Sequence, residues 1–383
     1  MTKPKHIVVV AGEESGDIHA ASFISELRIK HPLLRITGIG GDHMKEAGAE
    51  LISDLAKYGV TGFSEVIRHF KTIKKAFKLI KTHLINEKPD LLVLVDYPGF
   101  NIRLAQFAKK LNIKVVYYIS PQVWAWKAKR LITIKKNVDH MAVILPFEKK
   151  IYEAADIPVS FVGHPLVNTV KLNENTEEIR KKLNIPKNKK IIALLPGSRT
   201  HEIERHLPIM AAGMTLLSQQ FPADLHVVIP VARTIKAELV ESYLRHMPLS
   251  YTLTQNAMLE TVSCSDAVVV ASGTASLECA LLCKPMCIVY KASLLTYIAA
   301  MKLIKVKYLG LCNLLQNTMI VPELLQYDFN ARELSKMVAE FLSEKAAVTR
   351  MQNKLMQLRH SLSTLAADCS ISQLIEREIF LIN

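Results

Sequence analysis

The sequence predicts an α/β protein made of two β-α domains, on three observations. First, short unbroken apolar runs recur along the chain: HIVVVA at 6–11, LLVLV at 91–95, IIALL at 191–195 and AVVVA at 267–271. Runs of that length without polar alternation suit parallel strands covered on both faces. Second, these runs end at glycine or acidic turns and are followed by segments of helical period, the alternation of a doubly wound sheet. Third, the alternation breaks at the polar stretch NTVKLNENTEEIRKKLNIPKNKK, residues 168–190, and then restarts. A chain of 383 residues has room for roughly two cores. The expected domains are 1–168 and 169–359, with a final helix near 360–383 packing back on the first.

Composition narrows the class. Half the residues are hydrophobic and Gly and Pro are ordinary, so the chain is globular. Charge interrupts every apolar run well short of a membrane span, and no signal peptide is expected at MTKPKHIVVVAGEESGD. Six cysteines make no disulfide framework. Cys279, Cys283 and Cys287 are spaced by four but lack a nearby histidine, so buried small hydrophobes are expected rather than a metal site, in a reducing cytoplasm. A net charge of +14 calls for an anionic partner: nucleic acid, nucleotide or anionic lipid.

Along the first half, His6–Ala11 is a strand, and GEESGD leads into a helix expected near Ile18. This strand–glycine-loop–helix lacks the GxGxxG spacing, and its acids repel a pyrophosphate. Glu14 and Ser15 suit sugar hydroxyls, or else serve as helix-start groups. LRITGIGG is the next strand. In VIRHFKTIKKAFKLIKTHL, apolar residues fall at Ile67, Phe70, Ile73, Phe77, Ile80 and Leu84, with Arg68, Lys71, Lys74, Lys75, Lys78 and Lys81 on other faces. No acid occurs between Glu65 and Glu87, so the helix reads as an anionic-lipid contact or as a docked helix with a lysine-rich solvent face. DLLVLVDYPGFN follows. Asp96 ends its strand, where ligands bind in open α/β sheets, and is placed to take a proton from a substrate; capping the turn or pairing with a base is the alternative. IKVVYYIS precedes PQVWAWKAKR, which holds Trp124 and Trp126 beside Lys127, Lys129 and Arg130. The aromatics suit stacking, lipid contact or a core, and without a recognition helix or zinc spacing no nucleic-acid partner is expected. HMAVILPF and VSFVGHP complete the series, with His164 either facing the site or structural.

In the second half, Ile191–Leu195 is a strand, Pro196–Gly197 a turn, and Ser198–Arg199 opens the following helix. A helix start with an arginine is an anion site. The turn Gly273–Thr274 allows close backbone approach, and Glu278, one turn on, suits vicinal ribose hydroxyls. Two such loops in one domain point to a nucleotide diphosphate. LLTYIAAMKLIKVKYLGLCNLL carries Lys302, Lys305 and Lys307, a second possible lipid-facing stretch, and Asn313 is expected in a loop.

AGEESGD, VDYPGFN, SPQVWAWK, LPFE, FVGHP, LPGSR, ASGTASLE and NLL occur in this order across nearly the whole chain. Together they resemble the lipid-A-disaccharide synthase family of glycosyltransferases. That resemblance implies the GT-B architecture, two Rossmann-like domains facing a cleft, and inverting transfer. The donor implied is UDP-2,3-diacylglucosamine and the acceptor 2,3-diacylglucosamine 1-phosphate, giving a β-1′,6-linked disaccharide 1-phosphate and UDP. It implies Asp96 as the base, donor contacts at Ser198, Arg199, Gly273, Thr274, Glu278 and Asn313, and acceptor contacts at Glu14 and Ser15. The first domain is then acceptor- and membrane-facing, and the second holds the UDP-sugar. No cofactor or metal is implied, which agrees with the lack of a DxD-type acidic pair in a suitable loop of this sequence, and an oligomer is possible. The site of action implied is the cytoplasmic face of the inner membrane, on an anionic lipid surface. Some members carry a second Asp at the position of Gly99, which this chain lacks. A UDP-sugar 2-epimerase, a non-enzymatic membrane or nucleic-acid binder, and a nicotinamide dehydrogenase are the rival classes.

Overall fold

The structure, a computed structural model, describes residues 4–55, 70–121, 129–172, 175–221, 224–292 and 307–380. Arg68, Trp124, Trp126, Lys127, Lys302 and Lys305, and the side chain of Lys129, lie outside the described part. The chain divides into two compact units, 1–165 with 362–383, and 166–361.

The first unit holds strands β1 (His6–Ala11), β2 (Arg35–Gly40), β3 (Glu50–Asp54), β4 (Leu91–Val95), β5 (Lys114–Tyr118), β6 (His140–Val143) and β7 (Val159–Phe161). They form one parallel sheet in the order β3-β2-β1-β4-β5-β6-β7. Helices α1 (Glu14–Lys30), α2 (Asp42–Glu46), α3 (Phe70–Glu87), α4 (Pro98–Lys110), α5 (Lys129–Asn137) and α6 (Pro146–Glu153) connect them. Alternate strand residues go to opposite faces. Val8, Val10, Leu92, Leu94, Val115 and Tyr117 meet α3 to α6, while Ile7, Val9, Leu91, Val93, Val116 and Tyr118 meet α1. With both faces buried, the central strands are apolar throughout, which is why they read clearly in the sequence.

Helix α1 starts at Glu14, not near Ile18. Glu14 and Asp17 stand in its first turn, where acids complement the helix dipole. Asp17 also reaches across to accept hydrogen bonds from the backbone N–H groups of Gly41 (2.7 Å), His43 (3.0 Å) and Met44 (3.2 Å), and so caps α2.

The second unit carries β8 (Lys190–Leu195), β9 (Leu225–Val231), β10 (Tyr251–Gln255), β11 (Ala267–Ala271), β12 (Met286–Tyr290) and β13 (Glu323–Leu325). These are also parallel, in the order β10-β9-β8-β11-β12-β13. Its helices are α7 (Leu166–Thr169), α8 (Thr176–Lys182), α9 (Thr200–Ser218), α10 (Ala237–Leu244), α11 (Met258–Ser263), α12 (Thr274–Leu281), α13 (Leu311–Gln316), α14 (Ala331–Ser343) and α15 (Lys345–Leu362). Ile192 and Leu194 pack under α9, α10 and α14, and Ile191 faces the opposite side with Ile179 and Cys264. Five cysteines are buried, Cys369 is half-buried, and all six thiols are free. In the last turn of α15 the Arg359 guanidinium donates to the carbonyls of Val167 (3.0 Å), Val170 (2.7 Å) and Leu281 (2.9 Å).

After α15 the chain returns to the first unit, where α16 (Ile371–Phe380) lies beside α1 on the same sheet face. Polar contacts tie this segment down: His31 to Glu376 at 3.1 Å, Lys114 to Glu378 at 2.8 Å and Lys149 to Asp368 at 2.7 Å.

Several buried histidines make the fold acid-sensitive. His6 of β1 and His83 of α3 both bond Thr37 Oγ1, at 2.9 and 2.8 Å, and burial holds His6 down to about 4. A depressed histidine favours folding only while neutral, so its contribution is full above its ordinary value of 6.5 and is lost as pH falls from there towards 4. His164 and His226 are likewise held to about 4, mainly by burial. The unfolding free energy is therefore expected to fall by about 1.4 kcal/mol per pH unit for each such histidine across that window. Urea unfolding across the window checks this, with His6→Gln expected to flatten the slope; a wild-type profile without slope contradicts it.

Candidate active site

In each sheet the strand order reverses once, between β1 and β4 in the first unit and between β8 and β11 in the second. Chains leave such neighbours in opposite directions and open a crevice at their carboxyl ends, the usual ligand position of this fold. The sequence-selected residues collect at these points.

In the first unit Ala11 of β1 pairs with Val95 of β4, so Gly12 and Asp96 stand opposite one another as the strands end. Asp96 has φ 46° and Tyr97 φ 47°, both left-handed. Non-glycine residues there cost on the order of 1–3 kcal/mol each and persist only where surrounding bonds impose them. Those bonds are present. Asp96 N–H donates to the Tyr118 carbonyl (2.9 Å), and its own carbonyl accepts from the Tyr117 hydroxyl (2.7 Å) and from Asn101 Nδ2 (2.8 Å). Asn101 is fully buried, and the same amide group lies 3.1 Å from the Val95 carbonyl. On the neighbouring strand exit Ile119 is left-handed too, with φ 64°, an outlier for a β-branched residue.

The turn leaves the Asp96 carboxylate half-buried, and desolvation raises its pKa against the opposing pull of the Tyr97 backbone N–H. Glu13, the extended N-cap residue of α1, is also half-buried. Its carboxyl is pushed up to about 7, first by burial and then by the charge of Asp96. Glu14 and Ser15, the acids-and-hydroxyl pair singled out in the sequence, are exposed in the first turn of α1. The residue electrostatically coupled to Asp96 is therefore Glu13, which sequence reasoning passed over. Which of two adjacent acids faces the crevice depends on where the helix begins. Asn101 and Tyr117 were also missed as positioning groups, although Asn101 closes the VDYPGFN motif.

Other motif residues of this unit make contacts within the fold. Ser120 Oγ donates to buried Glu148 at 2.8 Å, joining the SPQ and LPFE segments. His164 is buried, and its backbone N–H donates to the Leu362 carbonyl at 2.7 Å, where the chain returns. On α3, Lys71, Lys74, Lys75 and Lys78 are exposed, whereas Lys81 lays its ammonium 4.2 Å from the Phe107 ring centroid. Phe77 of α3 meets Phe100 edge-on at 5.0 Å, and Phe100 stacks on Tyr97 at 5.7 Å. The lysine helix is thus linked to the Asp96 turn through the ring of Phe100.

In the second unit Arg199 is the N-cap of α9, and its side chain is 68% exposed. The N–H groups of Ser198 and Arg199 donate to Glu202 Oε2 at 2.9 and 3.2 Å, so a carboxylate already rests on this helix start. At the β11 exit Gly273 has open space where a Cβ would stand, Thr274 is exposed, and Glu278 is half-buried with its pKa raised by burial. Asn313 differs from the loop position expected: it lies in α13, fully buried. Its Nδ2 donates to Val321 and Glu323 (2.7 and 2.8 Å), and its Oδ1 accepts from the N–H groups of Ile320 and Val321. An amide engaged in this way shapes the loop. Among the described residues no group of three or more His, Cys, Asp or Glu could hold a metal ion.

Two doubly wound parallel-sheet units, one with an acid pair and one with open helix starts, define a protein of the GT-B fold class, and similar structures agree on that fold. The fold matches a UDP-N-acetylglucosamine 2-epimerase described as putative, from Listeria monocytogenes, at TM-score 0.65 and 12% identity, covering 92% of this chain and 91% of that one. It matches the calicheamicin glycosyltransferase CalG4 at TM-score 0.61 and 14% identity over 100% of both chains. At such identities the likeness carries the fold alone. The family model described as lipid-A-disaccharide synthetase matches residues 7–378. Lipid-A-disaccharide synthase 1 of Legionella pneumophila strain Philadelphia 1 is 54% identical over 380 residues, 99% of each chain. The chain belongs to the lipid-A-disaccharide synthase family, and is thus a hexosyltransferase of lipid A biosynthesis.

Glycine substitutions separate the two sides of the Asp96 turn. A Cβ on Gly12 would stand 2.2 Å from the Tyr97 ring, while one on Gly99 meets nothing within 4 Å. Gly12→Ala is expected to cost about 1–3 kcal/mol in urea unfolding and to depress turnover by displacing Tyr97 and Asp96. Gly99→Ala, inside α4, is expected to leave turnover unchanged and stability equal or up to about 1 kcal/mol higher.

Proposed function

We propose that this protein transfers 2,3-diacylglucosamine from UDP-2,3-diacylglucosamine to 2,3-diacylglucosamine 1-phosphate with inversion, Asp96 acting as the base. The observation that carries this reading is the Asp96 carboxylate, held on a left-handed turn at the β1/β4 reversal with its proton affinity raised by burial. Asp96 takes the proton of the acceptor 6-hydroxyl as that oxygen attacks the donor anomeric carbon. The new C–O bond forms on the face opposite UDP, the old one breaks, and UDP leaves with the electron pair. A raised pKa makes Asp96 a stronger base, provided it is ionised. The charge of Asp96 in turn raises Glu13, so Glu13 holds its proton while Asp96 is ionised. Glu14 and Ser15, exposed in the first turn of α1, are proposed acceptor contacts at the rim.

Arg199 and the backbone at Ser198 are proposed to take the UDP diphosphate. The Glu202 carboxylate resting on those N–H groups supports an anion-favouring seat. Gly273 and Thr274 allow the nucleotide close to β11, Glu278 accepts from the ribose hydroxyls, and Asn313 holds the loop beside them. Positive charge of this kind stabilises the leaving diphosphate. The direct test is mass spectrometry of detergent reactions holding both lipid substrates, with EDTA present: disaccharide 1-phosphate is expected, and epimerised sugar nucleotide without disaccharide contradicts the reading.

Asp96→Asn is expected to lower kcat by about 10²–10⁴ with UDP affinity unchanged. Full activity of Asp96→Asn contradicts this role.

The substrates are diacylated, so the enzyme is proposed to work on the cytoplasmic face of the inner membrane. No helix among the described residues is long and apolar enough to cross a membrane. Lys71, Lys74, Lys75 and Lys78 on α3, with Leu79 (40% exposed) and Ile85 (49% exposed), make a cationic face with apolar members suited to anionic lipid. Replacing these four lysines by glutamate is expected to abolish sedimentation with phosphatidylglycerol-containing vesicles while leaving UDP binding intact. Unchanged sedimentation argues for a plain solvent face.

A further inference from the structure

Strands β8, β11 and β12 are neighbours, and their exits frame the proposed donor seat: Pro196–Arg199, Ser272–Thr274 and Lys291 in turn. One side chain joins the two outer exits. His206, in the second turn of α9, is fully buried. Its Nδ1 lies 2.7 Å from the Pro196 carbonyl oxygen, and its Nε2 lies 3.1 Å from the Lys291 backbone nitrogen. A carbonyl only accepts and a backbone N–H only donates. The ring must therefore carry its proton on Nδ1 and present a bare Nε2, which only the neutral imidazole can do. Tyr290 and Phe329 fix the ring plane, with centroids 5.6 and 5.8 Å away.

We propose that His206 is a positioning residue for donor binding, its neutral ring setting the spacing between the Ser198–Arg199 seat and the β12 exit. The proposal rests on the reading that the UDP diphosphate lies at Ser198–Arg199. Loss of either hydrogen bond unties the Pro196 turn from the β12 exit, and the Arg199 backbone three residues beyond Pro196 loses its reference to the β11 and β12 exits. Protonation places a second N–H against that of Lys291 and turns a hydrogen bond into a repulsion. The charged and titratable groups facing the ring are Glu202 and Arg205 from its own helix and Tyr290 and Lys291 from the β12 exit. Burial outweighs them and holds the ring below the ordinary histidine range, so the seat stays assembled at neutral pH.

The test is calorimetric titration of the full chain with UDP across neutral and mildly acid pH, using wild type, His206→Gln, His206→Leu and Arg199→Ala. Glutamine offers one donor and one acceptor and does not titrate. His206→Gln is expected to bind UDP within about threefold of wild type at neutral pH, and His206→Leu about tenfold more weakly. In turnover, His206→Leu raises KM for the sugar nucleotide more than it lowers kcat. The wild-type to His206→Gln ratio of Kd is expected to rise on acidification, because the ionisation of UDP itself cancels in the ratio. Wild-type affinity in folded His206→Leu, or a flat ratio while both proteins remain folded, overturns the proposal. UDP affinity untouched by Arg199→Ala removes the donor seat itself, and the proposal with it.

Discussion

The site depends on a clamp around the backbone of one residue. Tyr117, Tyr118 and Asn101 hold the backbone of Asp96 on both sides, and only that grip keeps two successive non-glycine residues left-handed. Strain of this kind would relax in a loosely packed loop. Here each clamp is itself anchored: Tyr117 is wholly buried and its neutral hydroxyl donates, while Asn101 is locked inside α4. The carboxylate is held at the mouth of the crevice, between bulk water and the core, where burial raises its proton affinity without removing it from reach.

The second unit is proposed to meet a different need with the same sheet. A nucleotide diphosphate asks for N–H groups and a cation, and the exits of β8 and β11 offer helix starts, an exposed arginine and an open glycine. Gly197, with φ 129°, is required there for two reasons: its left-handed backbone, and the approach of Glu202, whose Oε2 would stand 2.3 Å from any Cβ. The Pro-Gly-Ser-Arg turn and the glutamate three residues beyond it form one local unit, with His206 fastening it to β12.

Much of this was legible in the sequence. Strands buried on both faces must be apolar throughout, so their ends, and with them Asp96, Arg199 and Gly273, could be placed from the pattern alone. Three features could not be read. The start of α1 at Glu14 turns Glu13, rather than Glu14, towards Asp96, and a one-residue phase is beyond what acid-rich composition fixes. Asn313 was expected in a loop, but its amide is engaged by residues seven to ten positions later, a tertiary circumstance with no local signature. Lys81 shares the spacing of the other α3 lysines, yet the ring of Phe107 draws it aside, and only the packing of α3 on α4 reveals that.

Coupling between Glu13 and Asp96 is the centre of the proposed chemistry, and carboxyl-resolved NMR titration of the ¹³C-labelled protein reads it directly. The Glu13 carboxyl should titrate near 7 in the wild type and move down towards its ordinary value of 4.5 when Asp96 is replaced by asparagine. A Glu13 titration left unmoved by the Asp96 replacement would show two independent acids, and no coupled pair at the β1/β4 crevice.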